Sequence, residues 1–366
     1  MCNKRILIIK IEIMKQLKIF FLSLFAIVSL VACDSAKTSD EILTECGSGV
    51  VMVANQFYYK VTLPTGKVWY FTGFDKDGDF ENWTMDLEEI QKNKKMLTGT
   101  GFLISKDGKI LTNRHVAAPT IDLSDTKKSV RALLNGMAEM VRAEMQSMSE
   151  KYDELENAKR SCYSYNEYDG NIYVDNEKMQ QIEQEQAELK VESVCELGIA
   201  YNNTFVTKMS DFIPCVMTSV SDKENVDLAM LQLKSKQTPD GKYVFAVSDK
   251  DEEQGFVDKV KNLFAPTDKD ELQTEQKLYM IGFNAGFTLS NTSQGIKAQI
   301  TSGTISQKPD NDKIMYTIPS LPGSSGSPVV NEYGKLVAVN FAGMTGTQSF
   351  NYGIQSKRIQ QFVNND

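Results

Sequence analysis

From residue 278 to the end of the sequence, short apolar runs alternate with Gly, Ser, Thr and Asn turns, and this alternation excludes most folds. Such runs are too short for packed helices, and strands bounded by tight turns are their natural form. The same grammar appears earlier. Gly101-Phe102-Leu103-Ile104-Ser105 and Lys109-Ile110-Leu111-Thr112-Asn113 flank Lys106-Asp107-Gly108, and an Asp-Gly between apolar runs is a strong hairpin signal. Val50-Val51-Met52-Val53 reads as a buried strand, and residues 57–74 as an aromatic hairpin extension broken at Pro64-Thr65-Gly66. No repeat of fixed period is present. Many short strands without a repeat imply an all-β barrel or sandwich.

One stretch breaks this grammar. Val130, Leu133, Leu134, Met137, Val141, Met145, Met148, Tyr152 and Leu155 recur at spacings of three and four with charges between them, which predicts an amphipathic helix over 127–160. A more polar helix is expected over 176–192. Together they form a helical insertion from about 120 to 203. Met137, Met140, Met145 and Met148 are either its packed side or an adaptable surface for a partner. Asp75-Lys76-Asp77-Gly78-Asp79 places carboxylates alternately, but its glycine stands at the fourth position where a calcium loop needs it at the sixth. An acidic turn between strands is the expectation.

The chain carries 48 acidic and 40 basic residues, for a formal net charge of −8. With no basic patch, nucleic acid is excluded as a partner. Lys15 and Lys18 precede the apolar run Ile19 to Val28, followed by Leu30-Val31-Ala32-Cys33. The pattern resembles a lipoprotein signal: residues 1–33 would be leader and lipidation cysteine, 34–45 a tether, and 46–366 the folded part. The run falls short of the ~20 residues a membrane span needs. The expected location is therefore the cell envelope, with Cys33 lipid-anchored on the periplasmic or surface side of a membrane. Export permits disulfides. Cys46, Cys162, Cys195 and Cys215 allow three complete pairings, which sequence cannot rank. The single histidine excludes a His-rich metal site.

Three segments carry chemistry. In Pro322-Gly323-Ser324-Ser325-Gly326-Ser327-Pro328, a serine between glycines can expose its Oγ together with backbone N–H groups. Acyl transfer needs both a nucleophile and donors for the developing oxyanion. Taken alone, the run also fits a plain turn. Leu111-Thr112-Asn113-Arg114-His115 brings the only imidazole to the end of an apolar strand, where it fits a general base or a surface histidine. In Val226-Asp227-Leu228-Ala229-Met230-Leu231, a carboxylate heads an apolar run. It must be partnered or exposed, and His115 is a suitable partner.

In order, these segments resemble the trypsin-like serine peptidases, most nearly the HtrA/Deg type of bacteria. Further matching stretches are Gly99-Thr100-Gly101, Met280-Ile281-Gly282-Phe283-Asn284, Gly303-Thr304-Ile305-Ser306 and Asn351-Tyr352-Gly353-Ile354. The resemblance implies two antiparallel six-stranded β-barrels with the helical insertion in the first. It also implies a serine endopeptidase acting on protein or peptide substrates without a cofactor or metal. His115, Asp227 and Ser325 would be catalytic, and Gly323 and Ser325, with Ser324 nearby, would form the oxyanion hole. The sequence departs from the family at Ser324, at Ser327 and in the segment Tyr316 to Leu321, and no PDZ domain is expected after Ile354. The alternative is a non-catalytic or partner-activated shell that docks partners through the insertion.

Overall fold

The computed structural model describes residues 36–62, 66–120, 126, 150, 153–154, 156–166, 171–174, 176–177, 190–223, 225–247, 272–310, 312–343 and 350–364. Its first sheet is built from β1 (Val50–Thr62), β2 (Lys95–Leu103), β3 (Lys109–Thr112), β4 (Lys190–Tyr201), β5 (Ile213–Val220) and β6 (Ala229–Leu233). The order runs β1-β2-β3-β6-β5-β4, and β4 pairs back onto β1, so the sheet is a closed barrel. The second sheet contains β7 (Lys277–Gly282), β8 (Gln299–Thr304), β9 (Lys313–Tyr316), β10 (Pro328–Asn331), β11 (Leu336–Gly343) and β12 (Asn351–Gln355). Its order is β8-β7-β10-β11-β12-β9, and its two edges meet at the Ile305–Tyr316 bridge. The protein is thus mostly β, with one closed six-stranded barrel and a second sheet curled toward closure.

The apolar runs are continuous because both faces of the strands are buried. Val51, Val53, Leu103, Ile110, Leu197, Ile199, Leu231 and Leu233 fill the first barrel. Their neighbours Val50, Met52, Phe102, Leu111 and Met230 face the other way and pack with Tyr279, Ile281, Phe283, Val330, Val339 and Ile354 of the second sheet. Leu278, Met280, Ile314, Tyr316, Ile318, Val329 and Ala338 form a further core within that sheet. Each such aliphatic side chain contributes about 1.5–3 kcal/mol by leaving water. The layer between the sheets fixes their relative position, and the strand ends bordering it carry the chemistry.

Beyond the barrel, β1 and β4 continue as a ribbon. Tyr59 to Thr62 pair with a strand at Val68–Phe71, the hairpin extension expected from sequence. Phe71, Phe74, Phe80 and Trp83 close over it, with the Phe80 and Trp83 rings 4.3 Å apart. The acidic run is a turn between Gly73–Phe74 and Phe80–Glu81, where Asp75 Oδ1 accepts the N–H groups of Asp77 and Asp79.

Two boundaries differ from expectation. Within the expected tether at 34–45, Ser39–Cys46 is a docked helix, α1. Thr38 and Glu41 form a capping box at its start, and Ile42 and Cys46, one turn apart, are fully buried. The expected insertion, 120–203, also ends too late. β4 begins at Lys190 and is a barrel strand, so residues 190–192 are strand rather than helix. A hairpin, Tyr163–Asn166 with Asn171–Val174, lies inside the insertion. Residues 153–154 and 156–160 of the long expected helix are helical. Its methionine face and the leader, including Cys33, lie outside the described residues. No helix among the described residues is long and apolar enough to cross a membrane.

Cys46, Cys162, Cys195 and Cys215 are all free thiols. Burial pushes the Cys46 thiol up to about 11 and that of Cys215 up to about 12. Both behave as small apolar core residues.

Candidate active site

β3 ends at Thr112, and Arg114–Ala117 makes a single turn of helix, α2, which carries His115 to the border between the sheets. Both ends of that turn are clamped. Asn113 Nδ2 donates to the Asp227 carbonyl oxygen at 2.7 Å. Asn55 Nδ2, fully buried on β1, donates to the carbonyl oxygens of Val116 and Ala117 at 2.9 and 3.0 Å. Arg114 Nη1 donates to the Ser221 carbonyl oxygen at 3.1 Å, tying the turn to the loop before Asp227.

Asp227 holds His115 twice. Its Oδ2 lies 2.5 Å from His115 Nδ1, and its Oδ1 accepts the His115 backbone N–H at 3.0 Å. The Asp227 side chain is 17% exposed and that of His115 45%, so the carboxylate is shielded while the ring stays open to a substrate. A carboxylate on Nδ1 fixes that nitrogen as the protonated one and leaves Nε2 to accept a proton.

The nucleophile turn is fastened to the first barrel through Thr100 on β2. The Thr100 N–H donates to the Ser325 carbonyl oxygen at 2.8 Å, and its hydroxyl donates to the Gly323 carbonyl oxygen at 2.8 Å. The same hydroxyl accepts the Phe283 N–H at 3.0 Å. A Cβ placed on Gly99 would lie 2.7 Å from the Val116 side chain and 3.2 Å from the Ser325 carbonyl oxygen. The histidine-bearing turn and the serine-bearing turn therefore meet over one missing side chain. Ser325 is half-buried, and its Oγ has no hydrogen-bond partner among the described residues, His115 included. The structure thus joins His115 to Asp227 directly and sets the Ser325 turn against the His115 turn across Gly99, without a hydrogen bond from Ser325 Oγ to His115. Catalytic hydrogen bonds often tighten only when substrate is present.

Gly323 has φ +97°, and a Cβ there would sit 2.5 Å from the Phe283 carbonyl oxygen. The Ser324 N–H donates to the Leu321 carbonyl oxygen at 2.9 Å and is not free to receive an oxyanion. The N–H groups of Gly323 and Ser325 have no acceptor among the described residues. Of the three residues expected at the oxyanion hole, two present free donors. Ser327, a departure from the family pattern, is fully buried, and its Oγ occupies the space a Cβ on Gly282 would need, 1.9 Å away.

Sequence reasoning did not single out Asn55, Asn113, Asn340 or Ser320. Asn55 and Asn340 carried a signal, since each is a polar residue in a strongly apolar run and a buried amide needs partners.

These elements define a peptidase of the two-barrel class. The family model of the trypsin-like peptidase domain matches residues 198–339, a span holding Asp227, Gly323 and Ser325. Over those residues the chain is similar to a trypsin-like peptidase domain. His115 lies before the matched span and joins the site through the geometry of α2. No curated protein matches the chain.

Proposed function

We propose that the protein is a serine endopeptidase of the HtrA/Deg kind, with Ser325 as nucleophile, His115 as base and Asp227 as orienter. The observation that carries this reading is the 2.5 Å contact between His115 Nδ1 and Asp227 Oδ2, which leaves Nε2 to accept a proton on a turn that meets the Ser325 turn across Gly99. Ser325 Oγ attacks the scissile carbonyl carbon while His115 Nε2 takes its proton. The carbonyl oxygen gains negative charge and is met by the Gly323 and Ser325 N–H groups, where losing one donor costs about 10²–10³ in turnover. His115 then gives the proton to the leaving amine, which breaks the peptide bond and leaves an acyl-enzyme on Ser325. A water, deprotonated by the same ring, hydrolyses the ester and restores the serine.

Labelling with a fluorophosphonate probe tests the reading. The protein from Ser35 onward is expected to label, and Ser325→Ala and His115→Ala are expected not to. The missing hydrogen bond from Ser325 Oγ to His115 favours a second reading, a shell that acts only once a partner or substrate is bound. Labelling that appears only after unfolded protein is added would establish it. No labelling in either condition would leave a non-catalytic binding protein, with the insertion as docking surface.

We also propose that the protein is exported and held in the cell envelope by lipid on Cys33, on the strength of the leader pattern. The full chain is expected in the membrane fraction and Cys33→Ala in the soluble fraction. An unchanged distribution would remove the anchor.

A further inference from the structure

Behind the nucleophile turn lies a polar cluster that the catalytic triad does not use. Asn340 on β11 is 1% exposed. Its Oδ1 accepts the Tyr316 hydroxyl at 2.8 Å. With its oxygen held there, its Nδ2 points to the turn, 3.1 Å from Ser320 Oγ, 3.1 Å from the Ser324 carbonyl oxygen and 3.2 Å from Ser324 Oγ. Ser324 Oγ in turn lies 2.7 Å from Ser320 Oγ and donates to the Leu321 carbonyl oxygen at 2.6 Å. The backbone completes the hold. The Gly326 N–H donates to the Asn340 carbonyl oxygen at 2.8 Å, and the Asn340 N–H to the Ser327 carbonyl oxygen at 2.9 Å. Every residue from 324 to 327 except the nucleophile is thus bonded to Asn340, and Ser325 is held from the opposite side by Thr100.

We infer that Asn340, oriented by Tyr316, is the positioning residue that sets the oxyanion-competent shape of the 320–327 turn. The peptide between Ser324 and Ser325 decides the matter. Its carbonyl oxygen is drawn inward to Asn340 Nδ2, so its N–H, that of Ser325, points away from the amide toward the substrate side. The only other donor to that oxygen among the described residues is the Ser327 N–H at 3.0 Å, so without Asn340 Nδ2 the peptide would be held from inside by that single bond and would be freer to rotate at the expense of the outward N–H. The groups are uncharged side chains, and burial pushes the Tyr316 phenol far up, so the clamp does not titrate near neutrality. For its effect on rate, the inference rests on the peptidase reading; for the shape of the turn, it does not.

The test is Asn340→Asp, which keeps the size and the acceptor for Tyr316 but replaces the inward donor with a carboxylate oxygen. Tyr316→Phe is the milder companion: it leaves the amide in place and removes what orients it. Two quantities are measured on folded protein: amide hydrogen exchange of a peptide spanning 320–327, and fluorophosphonate inactivation resolved into kinact and KI. For Asn340→Asp we expect faster exchange confined to that peptide, an unchanged KI, and kinact lower by about 10²-fold, the scale of a small misplacement of reacting groups. Tyr316→Phe is expected to move both in the same direction by less. Exchange as slow as wild type in both variants would overturn the inference. Should wild type itself fail to label, the peptidase reading falls, and faster exchange in the variants would still uphold the clamp.

Discussion

Asp227→Asn is expected to slow acylation of Ser325 by about 10⁴-fold while leaving the fold intact. The substitution preserves shape, and one amide oxygen can still accept the His115 backbone N–H in place of Oδ1. The other position becomes an NH2 group facing His115 Nδ1, where the carboxylate now sits at 2.5 Å. Two donors cannot face each other, so the ring would move its proton to Nε2, the nitrogen that must accept one from Ser325. The imidazolium formed during attack would also lose the shielded negative charge beside it. The measurement is the fluorophosphonate inactivation rate, with the urea unfolding midpoint as control for folding. Asp227→Ala should match the rate loss and lower the midpoint further, because it strands the His115 N–H as well. An Asn variant that labels as fast as wild type would remove Asp227 from the catalytic unit.

The same residues show why some of this site is legible in sequence and some is not. His115, Asp227 and Ser325 each stand where a strand meets a turn, and a reactive side chain at such a point is visible in the local pattern. Thr100 is not visible in this way. Nothing near it in sequence indicates that its hydroxyl will join Gly323 to Phe283, because both partners arrive from the other sheet. Asn340 is intermediate, since an amide amid Val337, Ala338 and Val339 announces a buried partner without saying which. The strand β4 is a different case. Lys190, Val191, Glu192, Ser193, Val194, Cys195 and Glu196 alternate in exposure along its length. The charges belong to a ribbon projecting beyond the barrel and lend the segment the polarity of a surface helix. Period two was the better guide there than polarity. Helix α1 escapes notice because eight residues give only two buried positions, Ile42 and Cys46.

Gly326→Ala should be among the most damaging single-methyl additions in the protein. Gly326 follows the nucleophile with φ +86°, and a Cβ there would lie 2.0 Å from the Thr100 carbonyl oxygen and 2.6 Å from Thr112 Oγ1. Neither neighbour can yield easily. The Thr100 carbonyl oxygen is held by the Thr112 hydroxyl at 2.7 Å, and the Thr100 N–H is held by Ser325. The left-handed backbone alone costs an alanine about 1–2 kcal/mol, and parting the turn from β2 brings the expected loss to about 4 kcal/mol, in the range reserved for core disruption. Gly334→Ala separates the two contributions. Its φ of +84° is nearly the same, but the nearest atom to its Cβ is Lys37 Nζ at 3.6 Å. It should therefore show the backbone cost alone. Urea unfolding of both variants makes the comparison. A much lower midpoint for Gly326→Ala than for Gly334→Ala, with labelling of Ser325 lost before unfolding begins, is the expected result. Equal midpoints would mean that the nucleophile turn is not packed against Thr100, and the route by which the first barrel supports Ser325 would have to be sought elsewhere.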